Sequence, residues 1–407
     1  MAKKLSYFGL VMVLLPALCF ATNFGGEWGN SLYFMQDRLD TLRPLTSGFE
    51  NLNLHATNIN GSNVSLFTNL NATNGFTDST RKKVEVDHLY LDWRNIGGLA
   101  NARIGRQTVY EGFKVKNFDG AKIDALIAKN FTVSGFGGLT VPSKYSSSYV
   151  IVNPDSSLYR AGAKAAFHLP TTDAALLFED EARKSGPDKN GIGLDLAQSM
   201  GKTASLRASG VYGLTEKSID NYRVRCTVEP SEKLALEASV YVDKEAPDTV
   251  SLFKAFNIFK PYTQTSATAT WFFCDKASLS GGYVLRLFDG AGTCHEVEVR
   301  YDHTCFSAGF IQDIGYGGSN SQLDLCVRLF GRHPLQLEAG GTGMMYTTEL
   351  LSKSQLAYIG RAALVYHPSV SWLNARLEVQ QLHNMFYASD TRVLLTTQIR
   401  FSKFTAQ

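Results

Sequence analysis

Residues 219–242 read IDNYRVRCTVEPSEKLALEASVYV. Tyr222, Val224, Cys226 and Val228 alternate with Asn221, Arg223, Arg225 and Thr227. After a break at Pro230-Ser231, Leu234, Leu236, Ala238, Val240 and Val242 alternate with Glu237, Ser239 and Tyr241. Successive side chains of an extended strand point to opposite sides, so a period of two gives each set its own face. The break carries turn-forming residues. The stretch is therefore a hairpin of two strands, each apolar on one face and polar on the other. About ten residues per strand is also what a tilted strand needs to cross a bilayer.

The pattern recurs along the chain. In 293–302, Val297, Val299 and Tyr301 oppose Glu296, Glu298, Arg300 and Asp302. In 370–383, Leu373, Ala375, Leu377 and Val379 oppose Asn374, Arg376, Glu378 and Gln380. From 25–36 to 391–402 the pattern predicts about 22 strands (range 18–22), even in number as for a barrel with both ends on one side of the membrane. In 84–94 the alternation slips near His88, which predicts a β-bulge. The fold class predicted is all-β: a transmembrane, up-and-down antiparallel barrel.

Alternation alone also fits a soluble sandwich, but the connections sort in a way a sandwich does not need. After even-numbered strands they are tight, as at Asn60-Gly61-Ser62, Asn95-Ile96-Gly97-Gly98, Met200-Gly201-Lys202 and Pro368-Ser369. After odd-numbered strands they are generally longer, as at 37–47, 73–83, 109–117, 141–156, 243–261 and 347–355. Short turns on one side and longer loops on the other mark outer-membrane barrels. Trp28, Trp93, Trp271 and Trp372 all fall near strand ends on the tight-turn side, and Phe272 and Phe273 extend Trp271 into an aromatic run. These residues are the expected membrane-interface girdle, since an indole is apolar yet carries an N–H that wants a polar partner.

Composition agrees. The 407 residues are 44% hydrophobic, 12% aromatic and 19% charged, with formal net charge +3, too small to argue for a nucleic-acid partner. Beyond residue 21 no apolar run reaches the ~18 residues of a helical span. Lys3 and Lys4 precede an apolar stretch from Leu5 to Leu18, and Cys19-Phe20-Ala21 offers small residues at −3 and −1. Cleavage between Ala21 and Thr22 is expected, leaving 1–21 as a secretory leader and 22–407 as the barrel. Leu18 is too large for the position before a lipidated cysteine. Five cysteines remain (Cys226, Cys274, Cys294, Cys305 and Cys326) with no C-x-x-C. With no G-x-S-x-G, H-E-x-x-H or phosphate-binding glycine loop, neither enzyme activity, a cofactor nor a metal is expected.

Two local motifs resemble known families. Residues 394–404, LLTTQIRFSKF, resemble the C-terminal strand signal read by the barrel-assembly machinery. That resemblance implies roles for Phe401 and Phe404, although Thr405-Ala406-Gln407 follow the expected terminal aromatic. Arg103-Ile104-Gly105-Arg106-Gln107, followed by Phe118-Asp119-Gly120, resembles the L-G-R-Q … D-G strand–loop–strand pattern of several Gram-negative porin families. It covers about twenty residues. It implies a porin-like barrel embedded in outer-membrane lipid, with Arg103 and Gln107 projecting into the pore.

The polar faces give the expected pore lining. The cations are Arg103, Lys122, Arg160, Lys164, Arg207, Arg223, Arg225, Arg300, Arg328, Arg361, Arg376, Arg392 and Arg400. The anions are Asp124, Glu179, Glu181, Glu237, Glu296, Glu298, Asp324 and Glu378. A cation excess predicts weak anion preference, against the alternative of a mixed, self-neutralising wall. The first strand starts close to the cleavage site, so no plug domain is expected. The third outer loop, 109–117, is short; 141–156 and 243–261 are the loops long enough to fold inward.

An unplugged barrel of this size needs something to limit leakage. The expected solution is a passive channel for small polar or anionic solutes, constricted by loops and charged side chains. The runner-up is a sheath. The plan resembles the barrel component of porin–cytochrome conduits, which implies a periplasmic multihaem cytochrome in the lumen, with His168, His303, His333 and His367 near the turns that would meet it. Short outer loops argue against an adhesin.

Overall fold

The structure is a computed structural model that describes residues 21–37, 43–75, 83–109, 116–141, 158–183, 189–243, 261–316, 318–330, 334–347, 354–368, 372–384 and 389–404. The strands in chain order are β1 (Ala21–Asp37), β2 (Arg43–Ile59), β3 (Val64–Gly75), β4 (Lys83–Ile96), β5 (Ala100–Val109), β6 (Lys116–Ala128), β7 (Phe131–Thr140), β8 (Leu158–His168), β9 (Thr172–Arg183), β10 (Lys189–Met200), β11 (Ala204–Gly213), β12 (Ser218–Ser231), β13 (Leu234–Asp243), β14 (Tyr262–Cys274), β15 (Ala277–Phe288), β16 (Gly292–His303), β17 (Phe306–Gly315), β18 (Gly318–Leu329), β19 (Leu335–Thr347), β20 (Gln355–Tyr366), β21 (Leu373–His383) and β22 (Asp390–Phe404). Every strand pairs antiparallel with the next, and β22 pairs with β1 from Asn23↔Phe404 to Phe34↔Val393, closing a 22-stranded barrel. No helix and no plug occurs among the described residues.

With strands about 4.8 Å apart and tilted by about 40°, 22 of them make a ring about 44 Å across at the backbone. Its outer face is apolar. Leu91, Ile104, Ile123, Leu176, Phe178, Leu194, Val297, Val299, Leu325 and Val379 are all exposed on it. In water such a continuous apolar surface would drive aggregation; against acyl chains it is the matched one. Because lipid offers no hydrogen bonds, closing the ladder on itself is what satisfies the backbone.

The turns follow the local chemistry. Asn60 and Gly61 take left-handed φ values of 53° and 70°, and Ser62 Oγ donates to the Ile59 carbonyl at 2.6 Å. The bulge expected near His88 is present. The β3–β4 register shifts between Asn69 and Leu70, with Asn69 opposite His88 and Leu70 opposite Val86, so Asp87 is the extra residue.

Three expectations change. The first two strands are longer than read. Pro44 and Leu45 pair with Gln36 and Met35, reducing the expected 37–47 loop to 38–42. Proline is tolerated at the start of a strand, so it did not mark a boundary here. Trp28 therefore lies seven residues inside β1. It still pairs with Ile399, which pairs with Leu373 beside Trp372, so it stays in line with the girdle. Finally, the loop asymmetry is partial: the β11–β12, β15–β16 and β17–β18 connections are only two to four residues long. The loops 141–156 and 243–261, His333, and residues 1–20 of the expected leader lie almost wholly or wholly outside the described residues.

The outer face generates a stability prediction. Val297→Arg, near the middle of β16, should cost about 2–4 kcal/mol in lipid vesicles. The adjacent Glu298→Gln should change stability by no more than about 0.5 kcal/mol. Urea titration of both variants in the same vesicles measures the contrast.

Candidate functional site: the inner wall

The polar face is the concave one. Arg376 on β21 reaches Glu338 on β19 at 2.5 Å, spanning β20. Long side chains two strands apart meet most readily where curvature shortens the gap. Every cation and carboxylate singled out from the sequence as pore-lining falls on this face by register, and the wall they form divides into three regions.

The first, from β2 to β9, is densely packed. Asn51, Asn53, Asn69 and Asn71 form an amide ladder, with Asn51 Nδ2 donating to Asn71 Oδ1 at 2.6 Å and Asn53 Nδ2 to Asn51 Oδ1 at 2.6 Å; Asn71 also donates to Asp87. Arg103 lies over the Tyr90 ring at 4.7 Å and 3.9 Å from Asp92. Lys122 sits 3.1 Å from Asp124. Gln107 is fully buried, its Nε2 donating to the Arg103 and Gly120 carbonyls, each at 3.3 Å. Val109, Phe118 and Phe136 form an apolar cluster. Phe118 lies over the bare backbone of Gly120 and Gly138, and Phe136 over Gly162. A Cβ on Gly120 would stand 2.1 Å from the Gly137 carbonyl oxygen, so no side chain fits there. Arg160, 0% exposed, pairs with Glu179 and stacks over Phe136 at 5.7 Å. Glu181 is buried beside them, one register step away opposite Arg160.

The R-I-G-R-Q motif belongs to this region. Gly105 has φ 125°, and a Cβ there would lie 2.3 Å from the Leu89 carbonyl oxygen; only glycine lets β4 and β5 approach so closely. Arg106, which the sequence reading passed over, forks onto Asp119 with both contacts at 2.7 Å and donates to the Val86 carbonyl at 3.1 Å.

The second region, β15–β22 with β1, is laced by ion pairs. Arg286 meets Glu296 at 2.7 Å, Arg300 meets Asp302 at 2.8 Å, and Arg328 meets Glu338 at 3.7 Å. Arg376 also holds Glu378 at 2.5 Å, Arg392 meets Asp390 at 2.8 Å, and Arg400 meets Glu27 at 3.0 Å. Glu298, Asp324 and Arg361 share this face; Asp324 accepts from Gln322 Nε2 at 2.8 Å, and Arg361 stands opposite Gln380.

The third region lies between them. Lys164, Arg207, Arg223 and Arg225 line a concavity of about 500 Å³ together with Asp173, Asp195, His168 and several alanines. Arg225 pairs with Glu237 at 3.1 Å, and His168 Nδ1 with Asp173 at 2.8 Å.

The sequence reading left many inward carboxylates out of the expected pore lining, including Asp302, whose polar face it had assigned. Glu27, Asp92, Asp173, Asp195, Asp302, Asp313, Glu338 and Asp390 share the polar face, many of them beside an arginine. The same alternation contained them; only Asp390, one residue before the expected strand 391–402, fell outside the expected bounds. The expected cation excess is thereby offset over most of the wall.

Trp93 and Trp271 stand exposed on the outer face at the turn end, with Trp28 more sheltered. Trp372, just before β21, is a correction to the expected girdle: its carbonyl accepts from the Arg400 N–H, and alternation turns it, like Asn374 and Arg400, to the polar side. Trp271 stacks on Phe273 at 5.2 Å. Phe272 is a correction to the expected girdle: it pairs with Ser278, which pairs with Asp302, so alternation turns it to the polar face. Phe401 packs on Phe24 across the closing seam at 5.6 Å, and Phe404 pairs in register with Asn23. Ala21 and Thr22 open β1. None of the five described cysteines forms a disulfide, and no cluster of metal-ligating side chains occurs among the described residues.

No family model matches the sequence, and no curated protein matches it. Among solved structures, the translocation pore of the P pilus usher PapC matches with TM-score 0.54 at 8% identity, over 94% of this chain and 100% of that one. This likeness shows the fold, a large closed barrel. Pseudomonas aeruginosa OpdQ (TM-score 0.42, 10% identity, 93% of this chain and 99% of that one) and Acinetobacter baumannii OccAB4 (0.40, 7%, 94% and 98%) are more distant.

The packed region tests how the wall is held together. Glu179→Ala removes the carboxylate forked onto the buried Arg160, leaving Glu181 beside it, and should cost about 1–3 kcal/mol. Glu237→Ala removes an exposed partner of Arg225 and should cost no more than about 1 kcal/mol. Denaturant unfolding of the two variants, followed by tryptophan fluorescence, compares them.

Proposed function

We propose that this protein is an outer-membrane, porin-like channel for passive diffusion of small polar and anionic solutes. One observation carries the reading: a closed barrel about 44 Å across with a largely polar concave face and no described segment crossing it. A wall of this kind favours hydrated solutes, and charged side chains on it bias which ions dwell near it. Because carboxylates offset the arginines over most of the wall, selectivity comes from the region of Lys164, Arg207, Arg223 and Arg225 rather than from the lumen as a whole. The likeness to the usher pore supports a passage through the barrel and says nothing of what passes. Outer-membrane lipid and the barrel-assembly machinery are the partners this reading requires, and it needs no cofactor.

The width favours one further reading. A ring of 22 strands with no plug among the described residues has room for a folded partner, and a periplasmic multihaem cytochrome in that space would make the barrel an insulating sheath for electron transfer.

Single-channel recording of the purified chain in a planar bilayer separates the two. The diffusion channel should give steady, ohmic conductance with a reversal potential leaning to anions across a salt gradient. Arg223→Gln with Arg225→Gln should move that potential toward the cation side. Very large conductance with no selectivity, unchanged in the double variant, points to the empty sheath. A correctly folded barrel that passes no ions sinks the channel reading.

A further inference from the structure

We infer that the recess on β8–β12 is a binding station for a multivalent oxyanion, a phosphoryl or polycarboxylate group carried on a small hydroxylated solute. The inference rests on the channel reading and gives its solute a chemistry.

The recess has a built shape. Its floor is made of small residues on successive strands, Ala166, Ala175, Ala197 and Ser209, and its rim of long charged ones. Small side chains between long ones leave a hollow about as deep as an arginine is long. Into it project guanidinium groups set against each other. Arg207 and Arg225 are directly opposite in the β11–β12 register, and Arg223 is opposite Ser209 one step along. Like charges facing across adjacent strands raise the energy of the empty wall, a cost that Glu237, 3.1 Å from Arg225, offsets only on one side. An anion seated between them lowers it.

The contrast with the rest of the wall is the second observation. Arg286, Arg300, Arg328, Arg376, Arg392 and Arg400 each have a carboxylate within ion-pair distance. Among the described residues no such pair is made by Lys164, Arg207 or Arg223, which stand together; Arg361, also without one, stands singly opposite Gln380. Of the two carboxylates in the recess, Asp173 is held by His168 at 2.8 Å. Asp195 stands opposite Ser209 and Ala175, where it can accept from a hydroxyl of a bound solute while the arginines hold its anionic end. Guanidinium forks match the paired oxygens of phosphoryl and carboxyl groups, and a halide cannot use that geometry.

Calorimetric titration of the detergent-purified, folded barrel tests this without requiring conduction. Pyrophosphate and citrate are the probes, and potassium chloride at equal ionic strength is the control. Wild type should bind at least one of the two, and the stronger binder identifies the phosphoryl or carboxylate class. Arg207→Gln with Arg223→Gln should weaken binding about a hundredfold, since each lost charge-assisted bond is worth about tenfold. Arg361→Gln, on the ion-paired side of the barrel, should leave it unchanged. Folding is checked by heat-modifiable migration on gels. If the double variant fails to fold, Arg207→Lys keeps the charge, removes the fork, and should lose about tenfold. No binding by wild type, chloride competing equally, or equal losses in the Arg361 variant would each overturn the site. A barrel that binds but does not conduct retires the channel reading alone. One that conducts but does not bind retires the station alone.

Discussion

The structure depends on one constraint: inside a bilayer no backbone N–H or C=O can be left to solvent. An antiparallel ladder answers it everywhere except at its two edges, and here the edges are joined, β22 to β1, from Asn23↔Phe404 to Phe34↔Val393. Closure then dictates the rest. It forces strict alternation between two faces, because each strand has lipid on one side and the lumen on the other. It also removes the usual hydrophobic core, since the apolar side chains point outward. Only small buried apolar clusters remain, of which Val109, Phe118 and Phe136 form one on the inner wall.

What stabilises the inside of such a wall is therefore unlike a globular interior. Charged groups hold one another in place over β15–β22, in chains such as Arg328–Glu338–Arg376–Glu378. Aromatic rings lie on bare glycine backbone over β6–β8. Amides form a ladder over β2 and β3. Each device satisfies polar or planar groups at short range without filling the lumen. The region around Arg207 and Arg225 uses them least: Arg225 has Glu237, but among the described residues Lys164, Arg207 and Arg223 stand without a carboxylate at ion-pair distance, and that departure makes it functionally interesting.

Much of the fold was legible because alternation is a property of single strands. Residues 219–242 alone gave the hairpin, its two faces and its turn, and the slip at His88 revealed a bulge that the register places at Asp87. The start of β2 was not legible, because Pro44 looks like a breaker and is tolerated at a strand start. Nor was the orientation of Phe272, since three consecutive aromatics hide which of them turns inward. The inner wall was half legible: the face of each arginine followed from parity. Its carboxylate partner did not, because partners such as Glu338 and Arg376 are 38 residues apart and meet across an intervening strand. Function was legible only as a class, since what passes through a barrel is set by side chains that converge in space from many strands.

The closing seam carries a wider meaning. Hydrogen-bonded pairing between β1 and β22 is as continuous as between any two consecutive strands, and each of the other neighbours is joined by a connection along one rim. The ring itself thus has no beginning. Which strand is made first is a matter of translation and delivery, while the finished wall is indifferent to where the chain was cut. Linking the two ends and reopening the chain at a tight connection such as 289–291 describes the same molecule with a different history.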